Sequence, residues 1–147
     1  MAAGAPARSW ACDGTWLVTG GLGGVALHLV RNMASHGARR FVLLGRTPLP
    51  PREQWAATDP DSPAGRRIRE VLALEAQGLS VHVAAVDVGD EDEVREFLER
   101  HRAQAWPPIR GVVHAAGCFD NRLAVSMDRA AFEAVMTPKL EAAKILD

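Results

Sequence analysis

Tyrosine is absent from the 147 residues of this chain, and cysteine occurs only twice. A reaction that uses a tyrosine hydroxyl as proton donor therefore needs a residue from outside this sequence. Cys12 and Cys118 lie far apart and belong to no CxxC or Cys/His spacing, so the sequence indicates neither a disulfide framework nor a zinc site. We interpret both as reduced thiols that pack against other residues, and we predict no metal site.

Long apolar runs and an excess of one charge sign are also missing. No stretch approaches the roughly 18 apolar residues of a membrane span, and the segment from Met1 to Ala11 has no apolar signal core. The formal net charge is -1, with Lys and Arg scattered among Asp and Glu. This distribution offers no basic face for nucleic acid and no polybasic strip for a membrane. We expect a cytoplasmic protein whose partner is a small molecule or another protein domain.

What the sequence does contain is an alternation of apolar runs with helical patterns. Helical spacing is carried by apolar residues such as Val25, Leu29, Phe132 and Leu140, and Asp128 is a good N-cap for the last helix. Pro138 should bend or interrupt that helix. The predicted strands cover residues 15–18, 41–44, 80–86 and 109–113, and the predicted helices cover residues 25–36, 64–77, 91–102 and from about 128 onward. The proline-rich segment of residues 47–63 predicts an exposed loop without helix or central strand.

This order of elements predicts the fold class. Strands that alternate with helices require right-handed crossovers and a parallel sheet, and apolar strands indicate a sheet covered on both faces. We predict an α/β, doubly wound parallel sheet that is truncated after about four strands, with a leader or linker over residues 1–12 and a nucleotide-binding portion over residues 13–147. The apolar edge of such a sheet predicts self-association, or a need for further polypeptide.

A glycine loop lies between the first predicted strand and the first predicted helix. In a doubly wound sheet this is where the pyrophosphate of a dinucleotide binds, because glycines allow close approach and the helix N-terminus offers free N–H groups. The alternative is a tight turn with no ligand. The candidate residues are Thr19, Gly20, Gly21, Leu22, Gly23 and Gly24.

The ends of the later strands suggest which dinucleotide binds. Arg46 follows the second strand, where a carboxylate would suit NAD and an arginine suits the 2′-phosphate of NADPH, although a solvated surface arginine is the alternative. Asp87 and the backbone of Val88 are placed to bind adenine, with a turn or cap as the equal alternative for Asp87. After the fourth strand come small residues that leave room for a ribose and nicotinamide, and a histidine that is more often a packed strand end than a catalyst. These residues are His114, Ala115, Ala116 and Gly117.

Four segments together resemble the ketoreductase domain of modular type I polyketide synthases, in the short-chain dehydrogenase superfamily, and the likeness covers residues 13–147. The superfamily signature TGxxxGxG matches Thr19, Gly20 and Gly24, and Ala26 stands in place of its final glycine. The segments are residues 14–24, 41–46, 111–117 and Thr137-Pro138-Lys139.

The resemblance implies a reaction. Ketoreductases of this kind use NADPH to reduce a β-ketoacyl thioester, tethered by phosphopantetheine to an acyl carrier protein, to the β-hydroxyacyl thioester. A Ser and a Tyr polarise the ketone, and a Lys lowers the tyrosine pKa. Lys139 matches that lysine, whereas the Ser and Tyr follow a fifth strand that this sequence does not include. We therefore expect the chain to supply the cofactor-binding half, to be inactive alone, and to require the remaining half or neighbouring synthase domains.

Two alternatives stay open. One is a non-catalytic module of a synthase that binds NADPH or only packs against its neighbours. The other is a different short-chain dehydrogenase acting on a free small molecule, in which an Asn stands at the position of Lys139. Without the resemblance, Lys139 would be interpreted as a surface lysine. The stretch Cys118-Phe119-Asp120-Asn121 departs from the stereochemical fingerprint of the family, so we predict no product configuration.

Overall fold

Four parallel strands form one sheet in the computed structural model, which describes residues 10, 12–118 and 120–147. The sheet order is β3-β2-β1-β4, and every neighbouring pair is parallel. This order is that of one half of a doubly wound fold, so the predicted fold class is confirmed. The strands are β1 (Thr15–Thr19), β2 (Arg40–Gly45), β3 (Ser80–Ala85) and β4 (Ile109–His114).

Four helices cover the two faces of the sheet. One core cluster joins α1 and α2 to the strands, and a second cluster joins α3 and α4 to them from the other side. None of the helices in the described part of the chain has the length and apolar character needed to cross a bilayer. The helices are α1 (Gly24–Ser35), α2 (Pro63–Glu75), α3 (Glu91–Ala103) and α4 (Arg129–Leu146).

The register of the strands gathers their carboxyl ends at one edge of the sheet. Thr19 pairs with Leu44 of β2 and with His114 of β4. Each helix carries the chain back from this edge, so all four helix N-termini face the same side of the molecule. Ligands bind at this edge in open α/β sheets.

Side-chain caps fix where several helices begin. The Asp128 carboxylate accepts the backbone N–H of Ala131 at 2.8 Å, which confirms the predicted N-cap of α4. Ser62 and Asp90 cap α2 and α3 in the same way. These bonds satisfy donors that the first helical turn leaves without intrahelical partners.

The proline-rich segment contains a helix that the sequence analysis did not predict. A 3-10 helix spans Arg52–Ala57, and the indole Nε1 of Trp55 donates to Pro50 O at 2.8 Å. Between Pro51 and Pro60 no proline interrupts the chain, so a short helix is sterically allowed there.

Pro138 does not interrupt α4, which continues through it from Arg129 to Leu146, and a bend of the helix there stays a prediction. A proline has no N–H to give to the carbonyl four residues earlier, which here is Ala134 O. The thiol of Cys118 donates to that oxygen, with Sγ and O 3.1 Å apart. The lost helical bond is therefore replaced from outside the helix.

The helical patterns were correct in period, but several of the apolar positions that carried them face solvent. Val25 is 72% exposed, and Phe132 and Leu140 are about half exposed. The buried faces of α1 and α4 include alanines, notably Ala26, Ala131 and Ala142. Small side chains let a helix lie close to the sheet, and a pattern of large apolar residues does not reveal such a face.

Trp10, the first residue that the structure describes, packs on the domain. The rings of Trp10 and Trp16 meet edge to face with centroids 4.8 Å apart. The backbone N–H of Trp10 donates to His36 O at 3.0 Å. Cys12 is exposed, so its interpretation as a packed thiol was wrong. Most of the predicted leader lies outside the described residues, and its boundary at residue 12 stays a prediction.

Candidate functional site

The glycine turn after β1 lies flat against the ends of the neighbouring strands. Gly20 has a φ of 62°, and a Cβ there would lie 2.8 Å from Ala115 O. A Cβ on Gly21 would lie 2.6 Å from the Cβ of Leu43, and the Gly21 N–H donates to Leu44 O at 3.0 Å. Packing within the protein therefore requires glycine at both positions.

The second part of the turn faces open space. Gly23 is the N-cap of α1, with no side chain to bond the free N–H groups of the first turn. A Cβ added to Gly24 would meet no atom within 4 Å. An exposed helix N-terminus with free donors and no acidic side chain in its first turn is suited to a phosphate group.

A buried network beneath the turn joins β1 to the segment after β4. Thr19 Oγ1 accepts the N–H groups of Ala115 and Ala116 at 3.1 and 3.0 Å, and it lies 2.7 Å from His114 Nδ1. With both N–H groups bound to it, the hydroxyl oxygen still has its own hydrogen to donate, and the ring nitrogen that faces away from it is Nε2. That Nε2 is buried and has no partner among the described residues. Thr19 and His114 therefore lie below the site and hold its floor.

A cleft of about 400 Å³ opens above this network at the carboxyl edge. The ends of β1, β2 and β3 reach it, together with the segment after β4 and one side of α4. Six of the predicted site residues line it, namely Gly20, Arg46, Asp87, Val88, Ala116 and Gly117.

The other predicted cofactor residues lie around the cleft rather than in its lining. Leu22 packs on the core between α1 and α2, while Gly23 and Gly24 begin α1. Gly21 and Ala115 complete the turn and the strand end that the cleft rests on. The glycine loop therefore presents chiefly backbone atoms beside the cleft.

Asp87 forms a turn after β3, and a turn was one of the two roles predicted for this residue. Its Oδ1 accepts the N–H of Gly89 at 2.9 Å, and its own N–H donates to the Glu93 carboxylate at 2.7 Å. Asp87 also lines the cleft, so the residue that forms this turn stays at the surface of the cleft. The second carboxylate oxygen has no bond within the described chain.

Arg46 lies at the rim of the cleft, after the last residue of β2. It is exposed and has no hydrogen bond or ion pair with any described residue. The guanidinium of Arg122, also on the surface, is bound to Asp120 at 2.5 Å and holds the pKa of that carboxyl below its usual value. Arg46 therefore differs from Arg122 in keeping its donors available.

Lys139 approaches the segment that follows β4. Its Cε lies 3.6 Å from where a Cβ on Gly117 would stand, so a larger residue at position 117 would contact the lysine side chain. Pro138, its neighbour in α4, lines the cleft. The lysine is thus placed beside the end of the cleft that α4 forms.

Sequence reasoning missed several residues of the lining. Thr137 lies close to the loop after β3, since its Cγ2 is 3.3 Å from where a Cβ on Gly89 would stand. Its place directly before the Pro138-Lys139 pair was the signal that it belongs to the site. Small or apolar residues gave no such signal. The missed residues are Leu44, Gly45, Val86, Cys118, Ala134, Thr137 and Pro138.

The shape of this edge fits a dinucleotide. A Cβ on Gly45 would meet nothing within 4 Å, so the floor beside Arg46 is open to a flat group. The free N–H groups of α1 stand at one side, and a guanidinium stands at the end of β2. These are the donors that a pyrophosphate and a 2′-phosphate need.

Comparison with known proteins identifies the family. The model of the KR domain matches residues 14–147. The chain belongs to the KR domain family. It is 42% identical over 146 residues to a protein of the phenolphthiocerol/phthiocerol polyketide synthase of Mycobacterium tuberculosis, and 39% identical over 136 residues to the 6-methylsalicylic acid synthase of Aspergillus terreus. The alignments cover 97% and 91% of the KR chain but only 8% of each relative.

Solved ketoreductase structures share the fold of the KR chain. A ketoreductase from the first module of phoslactomycin biosynthesis in Streptomyces superposes with a TM-score of 0.74 at 30% identity, over 96% of this chain and 30% of the other. The N-terminal ketoreductase of the macrolactin assembly line has a TM-score of 0.77 at 22% identity, over 97% of this chain and 26% of the other. The KR chain thus spans less than a third of these structures.

Proposed function

We propose that this KR domain chain binds NADPH at the carboxyl edge of its sheet. In this proposal it supplies the cofactor-binding half of a ketoreductase that reduces a β-ketoacyl thioester on an acyl carrier protein. Membership of the KR family supports ketoreduction, and the names of the relatives support a polyketide synthase as the setting. We infer a cytoplasmic location, with the carrier protein and neighbouring synthase domains as partners.

The observation that carries the choice of NADPH is the end of β2. Arg46 lies at the rim of the cleft with no partner in the described chain, and no carboxylate follows β2 to bind a ribose 2′-hydroxyl. A guanidinium fork binds phosphate oxygens through charge-assisted hydrogen bonds. We therefore assign Arg46 to the 2′-phosphate.

The remaining residues receive roles from their positions. The N–H groups at the start of α1 bind the pyrophosphate, and the small residues Gly20 and Gly45 allow the dinucleotide to approach the strand ends. Asp87 accepts a hydrogen bond from the adenine amino group, and the open space over Ala116 and Gly117 holds the nicotinamide ribose. NADPH, when bound, supplies the hydride.

Lys139 is assigned the role of the family lysine that favours proton donation. Its position beside Gly117 supports this assignment, because the open end of the cleft is where a substrate ketone would meet the nicotinamide. The tyrosine that the lysine serves in the family has no counterpart among these 147 residues. We therefore expect the 147-residue polypeptide to bind cofactor without reducing a β-ketoacyl thioester.

A fluorescence titration tests the proposal. The chain should bind NADPH more tightly than NADH, and Arg46→Ala should weaken NADPH binding by about tenfold while leaving NADH unchanged. Arg102→Ala is the matched control, since Arg102 is an exposed arginine of α3 that does not line the cleft. Equal affinity of the unmodified chain for NADPH and NADH would contradict the proposed preference.

A further inference from the structure

Four of the side chains that line the cleft at the carboxyl edge are polar. They are Arg46, Asp87, Cys118 and Thr137. The thiol of Cys118 already donates to Ala134 O, and its sulfur is a weak acceptor. An arginine carries donors only, whereas a carboxylate and a hydroxyl both accept hydrogen bonds. Asp87 and Thr137 are therefore the side chains of this lining that are suited to receive hydrogens from a ligand.

These two side chains flank the same glycine. A Cβ added to Gly89 would lie 3.3 Å from Asp87 Oδ1 and 3.3 Å from Thr137 Cγ2. Asp87 follows β3, and Thr137 belongs to α4, so the two residues come from elements that are distant in the sequence. The fold thus places an acidic side chain and a hydroxyl side chain next to each other in the lining of the cleft.

Both side chains keep an acceptor available within the described part of the chain. Asp87 Oδ1 accepts the Gly89 N–H at 2.9 Å, and Oδ2 has no bond there. Thr137 is exposed, and its hydroxyl has no hydrogen bond with any described residue. The hydroxyl of Thr58, in contrast, donates to Gln54 O at 2.9 Å. The Thr137 oxygen can therefore accept a hydrogen from a ligand while its own hydrogen turns to solvent.

We propose that Thr137 recognises the base of the bound dinucleotide, by accepting one hydrogen of the adenine 6-amino group while Asp87 accepts the other. This inference rests on the proposed NADPH function and deepens it. An amino group has two hydrogens, and two acceptors that share it stand about 5 Å apart when each hydrogen bond is about 2.9 Å long. The short distances from both side chains to Gly89 are compatible with such a spacing. The pair therefore favours a base with an amino group at position 6.

The test compares ligands that differ only in that amino group. Calorimetry measures how the 147-residue chain binds 2′,5′-ADP and its purine analogue, in which hydrogen replaces the amino group. Thr137→Val keeps the shape of the side chain and should weaken 2′,5′-ADP about fivefold, with no effect on the analogue. Thr137→Ser keeps the hydroxyl and should recover most of the affinity. Thr58→Val is the matched control, since it removes a hydroxyl outside the cleft and should change the affinity for neither ligand.

The outcomes separate this inference from the proposed function. If 2′,5′-ADP binds and Thr137→Val leaves its affinity unchanged, the role of Thr137 is overturned and the cofactor site stands. If Thr137→Val weakens the analogue as much as 2′,5′-ADP, the side chain only packs against the base and the role is also overturned. If the unmodified chain binds neither 2′,5′-ADP nor NADPH, both the function and the role of Thr137 fail. Circular dichroism verifies that each variant is folded.

Discussion

Thr19 holds the floor of the cleft through a single buried hydroxyl. It is fully buried, and its oxygen accepts two backbone N–H groups and contacts His114. Thr19→Val keeps the shape but leaves those donors without an acceptor, so we expect a loss of about 3 kcal/mol in the free energy of unfolding. Urea denaturation measures this loss.

Thr19→Ser is the matched control, because it keeps the hydroxyl and removes only a methyl group. It should recover most of the stability that Thr19→Val loses. If the two variants are equally destabilised, packing of the methyl group rather than the hydrogen-bond network explains the role of Thr19.

At this scale the sequence pointed to six residues that line the candidate cleft, but it did not reveal the contacts around it. The motif TGxxxGxG and the positions of Arg46 and Lys139 were readable because each belongs to a strand end or a short pattern. The bond from Cys118 to Ala134 O was not readable, since it joins a lone cysteine to a carbonyl that Pro138 frees in another element. Such contacts depend on tertiary proximity and leave no periodic signal.

At the scale of elements, β3 and α3 meet through two histidines. The ring centroids of His82 and Trp106 are 5.0 Å apart, and those of His101 and Trp106 are 5.8 Å apart. Arg100 lines a small cavity together with His82 and His101. Burial and, to a smaller extent, the charge of His101 lower the pKa of His82 below its ordinary value of 6.5.

This lowered pKa predicts acid sensitivity. Below pH 6.5 the unfolded chain takes up a proton at His82 more readily than the folded chain does, so the stability present above that pH is lost as the pH falls toward the folded-state pKa. Urea denaturation between about pH 7.5 and about pH 5 measures the slope. His82→Phe keeps an aromatic ring against Trp106 and should flatten the slope, whereas the exposed His28→Gln should not. An unchanged slope in His82→Phe would assign the acid sensitivity to other groups.

The elements themselves were largely predictable. All four strands and four helices follow runs of apolar residues or helical spacing, and Asp128 marked a helix start as expected. The 3-10 helix of Arg52–Ala57 was missed because proline content was judged over the whole segment instead of residue by residue. The buried faces of α1 and α4 were misjudged because their alanines carry little hydrophobic signal.

At the scale of the molecule, the sheet is open at both edges among the described residues, and its β4 edge lies beside an apolar groove. β4 bonds only to β1, and Val112 in β4 is 41% exposed. A groove of about 480 Å³ runs beside it, with Trp106, Ile109 and Ile145 in its lining. An unpaired strand edge next to an apolar groove is a surface on which two chains associate.

We therefore expect the 147-residue chain to self-associate through this edge, with a second copy of the chain as the occupant of the groove. Sedimentation velocity should detect species larger than a monomer, in a proportion that rises with concentration. Val112→Lys should shift the distribution toward monomer, because a charged side chain on an edge strand opposes pairing. Val125→Lys, at an exposed valine that does not line the groove, should leave it unchanged. If the unmodified chain is a monodisperse monomer, the β4 edge does not drive association in solution, and this result would contradict the prediction.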